Sequence, residues 1–189
     1  MNPRELSHVT ICYLSRYEEI LEEMIREMTG AELTDSISRN FIVQMIPHHR
    51  AAIEMSQNLL RYTTFVPLQN IALRIIGEQT KSIEQMTAAL PKCTERSNAN
   101  QEQRLYLRCF QQITETMFSE MGNACGANNI NADFMREMIP HHQGAIRMSE
   151  NTLRFKICPE LHPILQSIIV SQRAGVQEMQ RLLCCAGGM

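Results

Sequence analysis

The chain has 189 residues, 44% of them hydrophobic, and a formal net charge of -2 at pH 7. That length supports one good core, or two small halves sharing one, while mixed charge without a basic run argues against nucleic acid as a partner. No apolar run approaches the roughly 20 residues that a helix needs to span a bilayer.

The first predicted element runs from about Leu6 to Met28. Leu14, Tyr17, Leu21, Met24 and Met28 follow a 3-4-3-4 spacing, one apolar stripe on a helix. A polar loop, TGAELTDSISRN, leads to Asn40, which is placed to cap a second helix ending near Tyr62. Pro67 marks the turn into a third helix carrying Leu68, Ile71, Ile75, Ile76, Ile83 and Met86. The stretch PKCTERSNANQEQ then reads as a polar, punctuated linker.

Beyond the linker the pattern returns. At an offset of 93, residues 13–90 align with 106–183 without a gap, and 29 of 78 positions are identical. The second copy supplies a stripe of Leu107, Phe110, Thr114, Met117 and Met121, a loop GNACGANNINAD, an N-cap at Asp133 and a helix ending near Phe155. Pro159 and a helix with Leu161, Ile164, Ile168, Ile169, Val176 and Met179 complete it. No segment reads as a strand. The chain therefore divides into a first three-helix repeat over 1–90, a linker over 91–105, a second repeat over 106–183 and a flexible Cys-bearing tail over 184–189. One hairpin alone has too little core, so two hairpins burying their faces against each other are expected to form a central four-helix bundle, flanked by the N-terminal helix of each repeat.

The most distinctive repeated peptide is FIVQMIPHHRAAIEMS from Phe41, which returns as FMREMIPHHQGAIRMS from Phe134. At about 100° per residue, Met45, His48, His49, Ala52, Met55 and Ser56 all fall on the inward arc of one helix. The two adjacent His diverge by about 100°, so one helix alone does not aim both at one ion. His49 lies one turn from Met45, and His48 two turns from Met55. The small Ala52, beside Ala51 or Gly144, leaves room for another helix or an ion. Pro47 and Pro140 each cost roughly 3 kcal/mol inside a helix, or little at a first turn. The apolar residues before them favour one kinked helix.

Ten of the 13 Met form five repeat-related pairs, 24/117, 28/121, 45/138, 55/148 and 86/179. Met is also soft core filler, and that reading suits Met24, Met28, Met117 and Met121. Beside His the balance changes. Thioether sulfur is a soft ligand and imidazole an intermediate one, and together they suit Cu(I), and by extension Ag(I), better than Mg, Ca or Mn. Zinc is a rival, because four His from two facing helices can make a tetrahedral site. Gln79 and Gln172 are placed to hold a His ring from the third helices, whereas His8 and His162 read as structural.

Seven Cys is an odd number, and none sits in a Cys-x-x-Cys spacing, so free thiols in a reducing compartment are the simplest expectation. The first 25 residues are charged throughout and lack the apolar centre of a signal peptide. The expected location is cytoplasmic, or exported if a leader was removed.

The motif Phe-x-x-x-Met-Ile-Pro-His-His-x-x-Ala-Ile-x-Met-Ser resembles the signature of domain-of-unknown-function family 305. Both copies match, over roughly 38–90 and 131–183. The resemblance implies a ferritin-like, four-helix-bundle character, and some members are exported copper-binding proteins. It implies ligand positions at Met45, His48, His49 and Met55, and at Met138, His141, His142 and Met148, with Met86 and Met179 in second rank. The expected function is non-enzymatic soft-metal binding, as a buffer, chaperone or tolerance factor for Cu(I), with Ag(I) or Zn as alternatives. Its partners are then the ion and a metal-transfer protein, and the chain is a monomer or homodimer. A ferritin-like metalloenzyme is the first alternative, but no Glu-x-x-His occurs to build a di-iron site. A purely structural or interaction bundle is the second.

Overall fold

The computed structural model describes residues 6–124 and 126–186. The described residues form six helices and no strand: α1 His8–Thr29, α2 Ile37–Leu60, α3 Val66–Thr94, α4 Asn100–Gly122, α5 Ile130–Thr152 and α6 Leu161–Ala186. The all-α expectation holds. The hairpins α2/α3 and α5/α6 form the centre, with α2 facing α5 and α3 facing α6. Helix α1 lies on α2, and α4 on α5. The layout follows from apolar stripes: Tyr13, Tyr17, Ile20, Leu21, Met24 and Met28 are the buried face of α1, whereas α2 and α5 are buried on most sides, as helices at the middle of a bundle must be.

Both inner helices begin a turn earlier than their capping signals suggested. Ser36 caps α2, its hydroxyl accepting from the Arg39 amide, and Asn129 caps α5 by accepting from the Ala132 amide. Asn40 and Asp133 serve instead as latches on the preceding loops. Asn40 accepts from the Thr34 amide and donates back to the Thr34 carbonyl. Asp133 accepts from the amide of Ala127, the residue equivalent to Thr34. The Asx side chain that seemed to start the helix therefore folds the loop onto it. Pro47 and Pro140 lie inside continuous helices, not at a first turn.

The linker is shorter than its composition implied. Helix α3 runs through Pro91 to Thr94 and α4 begins at Asn100, leaving 95–99 as the connection. Asn98 organises it. Its carbonyl oxygen accepts from the Ile37 amide, one of the unpaired donors at the start of α2, and its amide nitrogen donates to the Lys156 carbonyl. The tail expected from 184 is helical through Ala186, with Cys184 exposed on α6. Residues 187–189, like Cys125, lie outside the described residues.

The all-free-thiol expectation is also corrected. Cys93 and Cys158 form a disulfide, buried at the same end of the bundle as Asn98, across a separation of 65 residues. Two hydroxyls from the start of α2 fix its backbone, Ser36 donating to the Cys93 carbonyl and Ser38 accepting from the Cys158 amide. Spacing along the chain gave no sign of this pair, because tertiary contact alone brings the two Cys together. Cys12, Cys109 and Cys184 are free.

No helix of the described residues is long and apolar enough to cross a membrane. A cross-link that closes a 65-residue loop should stabilise the fold by about 4 kcal/mol through the unfolded chain. The Cys93→Ala/Cys158→Ala protein is expected to lose about that much in a denaturant titration, and a loss under 1 kcal/mol would refute the cross-link.

Candidate metal-binding core

Every side chain of the predicted ligand set is buried. Met45, His48, His49 and Met55 on α2, Met138, His141, His142 and Met148 on α5, Met86 on α3 and Met179 on α6 are each at most 2% exposed. Burial of Met45, Met55 and their equivalents follows from their inward arc. Burial of four His does not follow from hydrophobicity, and their arrangement is particular.

The imidazoles form a row across the junction of α2 and α5. His48 and His141 stack face to face, 3.7 Å between ring centroids and 30° between planes. His49 flanks His48 and His142 flanks His141, each at 5.9 Å. The divergence of the two His on one helix thus places one ring against the other repeat and the other against the third helix of a hairpin, His49 at α3 and His142 at α6. Among the described residues, no group of three His, Cys, Asp or Glu side chains is gathered to hold an ion. The four rings stack and step sideways, and they do not converge as a tetrahedral set.

What the row leaves open is ring nitrogen. His141 Nε2 lies 3.1 Å from the His48 carbonyl oxygen. A carbonyl only accepts, so Nε2 carries the proton and Nδ1 keeps its lone pair. His49 Nε2 meets the Ser82 hydroxyl at 3.1 Å. Both nitrogens of His48, and Nδ1 of His49, His141 and His142, are buried without any partner. Native interiors rarely leave so many polar atoms unmatched in one place, at about 1–3 kcal/mol each. The rings stay neutral. Burial and neighbouring imidazoles hold the His48 and His142 pKa values well below the usual range. Burial foremost lowers His49 to about 3 and His141 to about 4.

Two other predicted features resolve differently. The partner of a His ring from the third helix is Ser82, not Gln79. Gln79 and Gln172 are buried with their side-chain carbonyl oxygens unpartnered. The room left at Gly144 belongs to a neighbouring helix, since a Cβ there would lie 2.1 Å from the Met117 sulfur of α4. The two halves also differ beside the row. Tyr13 donates to Glu137 Oε2 at 2.6 Å, buried between α1 and α5, and Tyr17 donates to the Met121 carbonyl. Burial pushes Glu137 up to about 8. At the equivalent place in the first half, Gln44 donates to the Met28 carbonyl. Sequence reasoning missed the tyrosine contact because Glu137 breaks the symmetry that carried the rest.

Two pH dependences of opposite sign follow. The His49 and His141 pKa values are depressed, so their contribution is present above the ordinary His value and lost as pH falls through it toward 4. Stability should drop by about 1.4 kcal/mol per pH unit for each ring the unfolded chain protonates. His49→Asn should make that acid slope shallower, and an unchanged slope would contradict the burial of a neutral ring. The Glu137 pKa is raised, so its contribution is present below the ordinary Glu value and lost as pH rises toward 8. Glu137→Gln, which installs the residue of the first half, should flatten stability between pH 5 and 8. A wild-type profile in that window would remove Glu137 from the account.

The chain is similar to a structure described as CopM in the Ag-bound form, obtained by co-crystallization. The two are 26% identical, with a TM-score of 0.57, over 77% of this chain and 93% of that one. A soaked Ag-bound form of CopM gives 27% identity and a TM-score of 0.57 over 80% and 96% of the two chains. A DUF305 fragment from Deinococcus radiodurans shares the fold at 23% identity and a TM-score of 0.57, over 78% and 95%. No curated protein matches the chain. Residues 17–90 and 38–183 match, in two overlapping spans, the family described as Domain of unknown function (DUF305). The chain belongs to that family.

Proposed function

We propose that this protein binds a soft, monovalent d10 cation, Cu(I) or Ag(I), and acts as a buffer, chaperone or tolerance factor, not as an enzyme. The observation that carries this reading is the row of neutral, buried imidazoles with five unpartnered ring nitrogens. Each neutral ring keeps one N–H, and a bound ion would satisfy those of these nitrogens that carry the lone pair. The ligands would be His48, His49, His141 and His142, with thioethers from Met45, Met55, Met138 and Met148, and Met86 and Met179 behind them. Likeness to Ag-bound CopM supports the choice of ion. Thioether and imidazole favour Cu(I) over the hard cations, and a stacked row favours low coordination numbers over the tetrahedral zinc arrangement.

One contact offers an enzymatic alternative. The Ser82 hydroxyl and His49 Nε2 are within hydrogen-bond reach, like a nucleophile and its base. His49 Nδ1 has no orienting partner, and a ring whose pKa lies near 3 is a poor base at neutral pH. That argues for ligand chemistry instead. The buried disulfide supports work in an oxidising compartment over the cytoplasmic location expected from the first residues. The partners would be the ion and a protein that delivers or collects it.

An anaerobic Cu(I) titration against a competing chelator, with free thiols alkylated, tests this. Wild type should bind at a defined stoichiometry. Replacing Met45, Met55, Met138 and Met148 by Leu keeps volume and removes sulfur, and should weaken binding by about tenfold or more per lost ligand. Replacing the four core His by Ala should abolish it. Tight zinc binding indifferent to Met→Leu would favour the zinc site, and no stoichiometric binding of either metal would favour a structural bundle.

A further inference from the structure

An ion bound at a core this buried needs a way in, and the described surface is not uniformly sealed. A cleft of about 220 Å³ runs between α3 and α6 and ends on His49. Its mouth is exposed and polar, with Glu78, Lys81, Gln85 and Ser167 around it, and half-buried Ser171 stands on one wall. Its floor is buried and lined by Gln79, Ser82, Gln172 and His49. The side-chain carbonyl oxygens of Gln79 and Gln172, residues only 2% and 3% exposed, have no hydrogen-bond partner. They are equivalent residues of the two repeats, so the cleft lies over the pseudo-twofold relation between them. It nevertheless reaches only one end of the row. Ser82 meets the His49 ring, whereas its equivalent is Gly175, where a Cβ would stand 3.0 Å from His142 Cδ2. Helix α6 therefore closes directly over His142.

We propose that this cleft is the loading port of the protein: a soft monovalent cation sheds water onto the side-chain oxygens of Gln79, Gln172 and Ser82 and passes to His49, the first imidazole of the row. The proposal rests on the metal-binding reading above. A bare ion entering an apolar interior pays a large desolvation penalty. Along the buried floor, neutral oxygen acceptors lower it with no carboxylate to hold the ion, Glu78 standing at the exposed mouth. Ser82 has a further role here, because its hydroxyl occupies His49 Nε2 until the ion arrives. Neutral amide oxygens are weak ligands for a soft cation, so the port favours passage over storage.

The test separates rate from affinity. Alkylated apo-protein is mixed with a coloured Cu(I) chelate, and transfer is followed by absorbance. Ser171→Trp, which crowds the wall, and Gln79→Leu/Gln172→Leu, which removes the oxygens, should each slow loading by about tenfold or more, the equivalent of one lost hydrogen-bond-sized contribution to the barrier. Final stoichiometry should match wild type. Thr116→Trp, at a separate surface hollow on α4, should load at the wild-type rate. Ser171 is half-buried, so its variant decides the question even if the double Leu variant fails to fold. Wild-type loading rates in the Ser171→Trp protein would overturn the port. Reduced stoichiometry at unchanged rate in the Gln variant would overturn it too, by making those oxygens part of the resting site. A wild-type protein that takes up no Cu(I) would overturn the function and the port together.

Discussion

The stacking of His48 on His141 sets the terms for everything around it. Two imidazoles 3.7 Å apart cannot both carry charge in a dry interior without a large mutual repulsion. They must be neutral, and burial keeps them so. The contact also joins the two repeats at their closest helices, with His141 Nε2 donating to the His48 backbone. A ring pair that polar is an expensive way to fill a helix junction. Leu or Ile would fill the same space without orphaned nitrogens. The cost makes sense where the nitrogens have another use.

The surrounding structure offsets that cost with devices of ordinary kinds. Outer helices α1 and α4 cover the inner pair, and Met117 fills the notch left at Gly144. Asn98 and the Cys93–Cys158 disulfide tie the linker, the start of α2 and the loop before α6 into one node. Ion pairs such as Arg50–Glu27 and Arg147–Glu120 bridge outer and inner helices at half-exposed positions, where each contributes little. Ties of this kind lie away from the histidine row and hold the helices that enclose it.

Much of this was legible from periodicity. The apolar stripes of Tyr17, Leu21, Met24 and Met28 and of the MIPHH segments gave the number of helices and their buried faces, because 3.6-residue repetition reports burial directly. Features that depend on long-range contact were not legible. Asn40 and Asp133 satisfy the local grammar of a cap, yet loop geometry recruits them as latches. Cys93 lies just past the first repeat and Cys158 inside the second, at non-equivalent positions, so the symmetry that exposed the motif hid the bridge. The wheel placed all four His inward but gave no register between α2 and α5, and that register alone decides whether the rings converge or stack.

The differences between the repeats are informative in themselves. The inner residues of the row, Met45, Pro47, His48, His49, Met55 and Ser56, have identical equivalents. Several other positions do not: Ser82 corresponds to Gly175, Gln44 to Glu137, and Ala51 to Gly144. The supports at the two ends of the row differ. One end meets a hydroxyl beneath a polar cleft, and the other meets bare helix backbone. The rings are therefore alike in their chemistry and unlike in their access. That combination gives a symmetric core a direction, with buried His49 beneath the cleft and His142 beneath the backbone of α6.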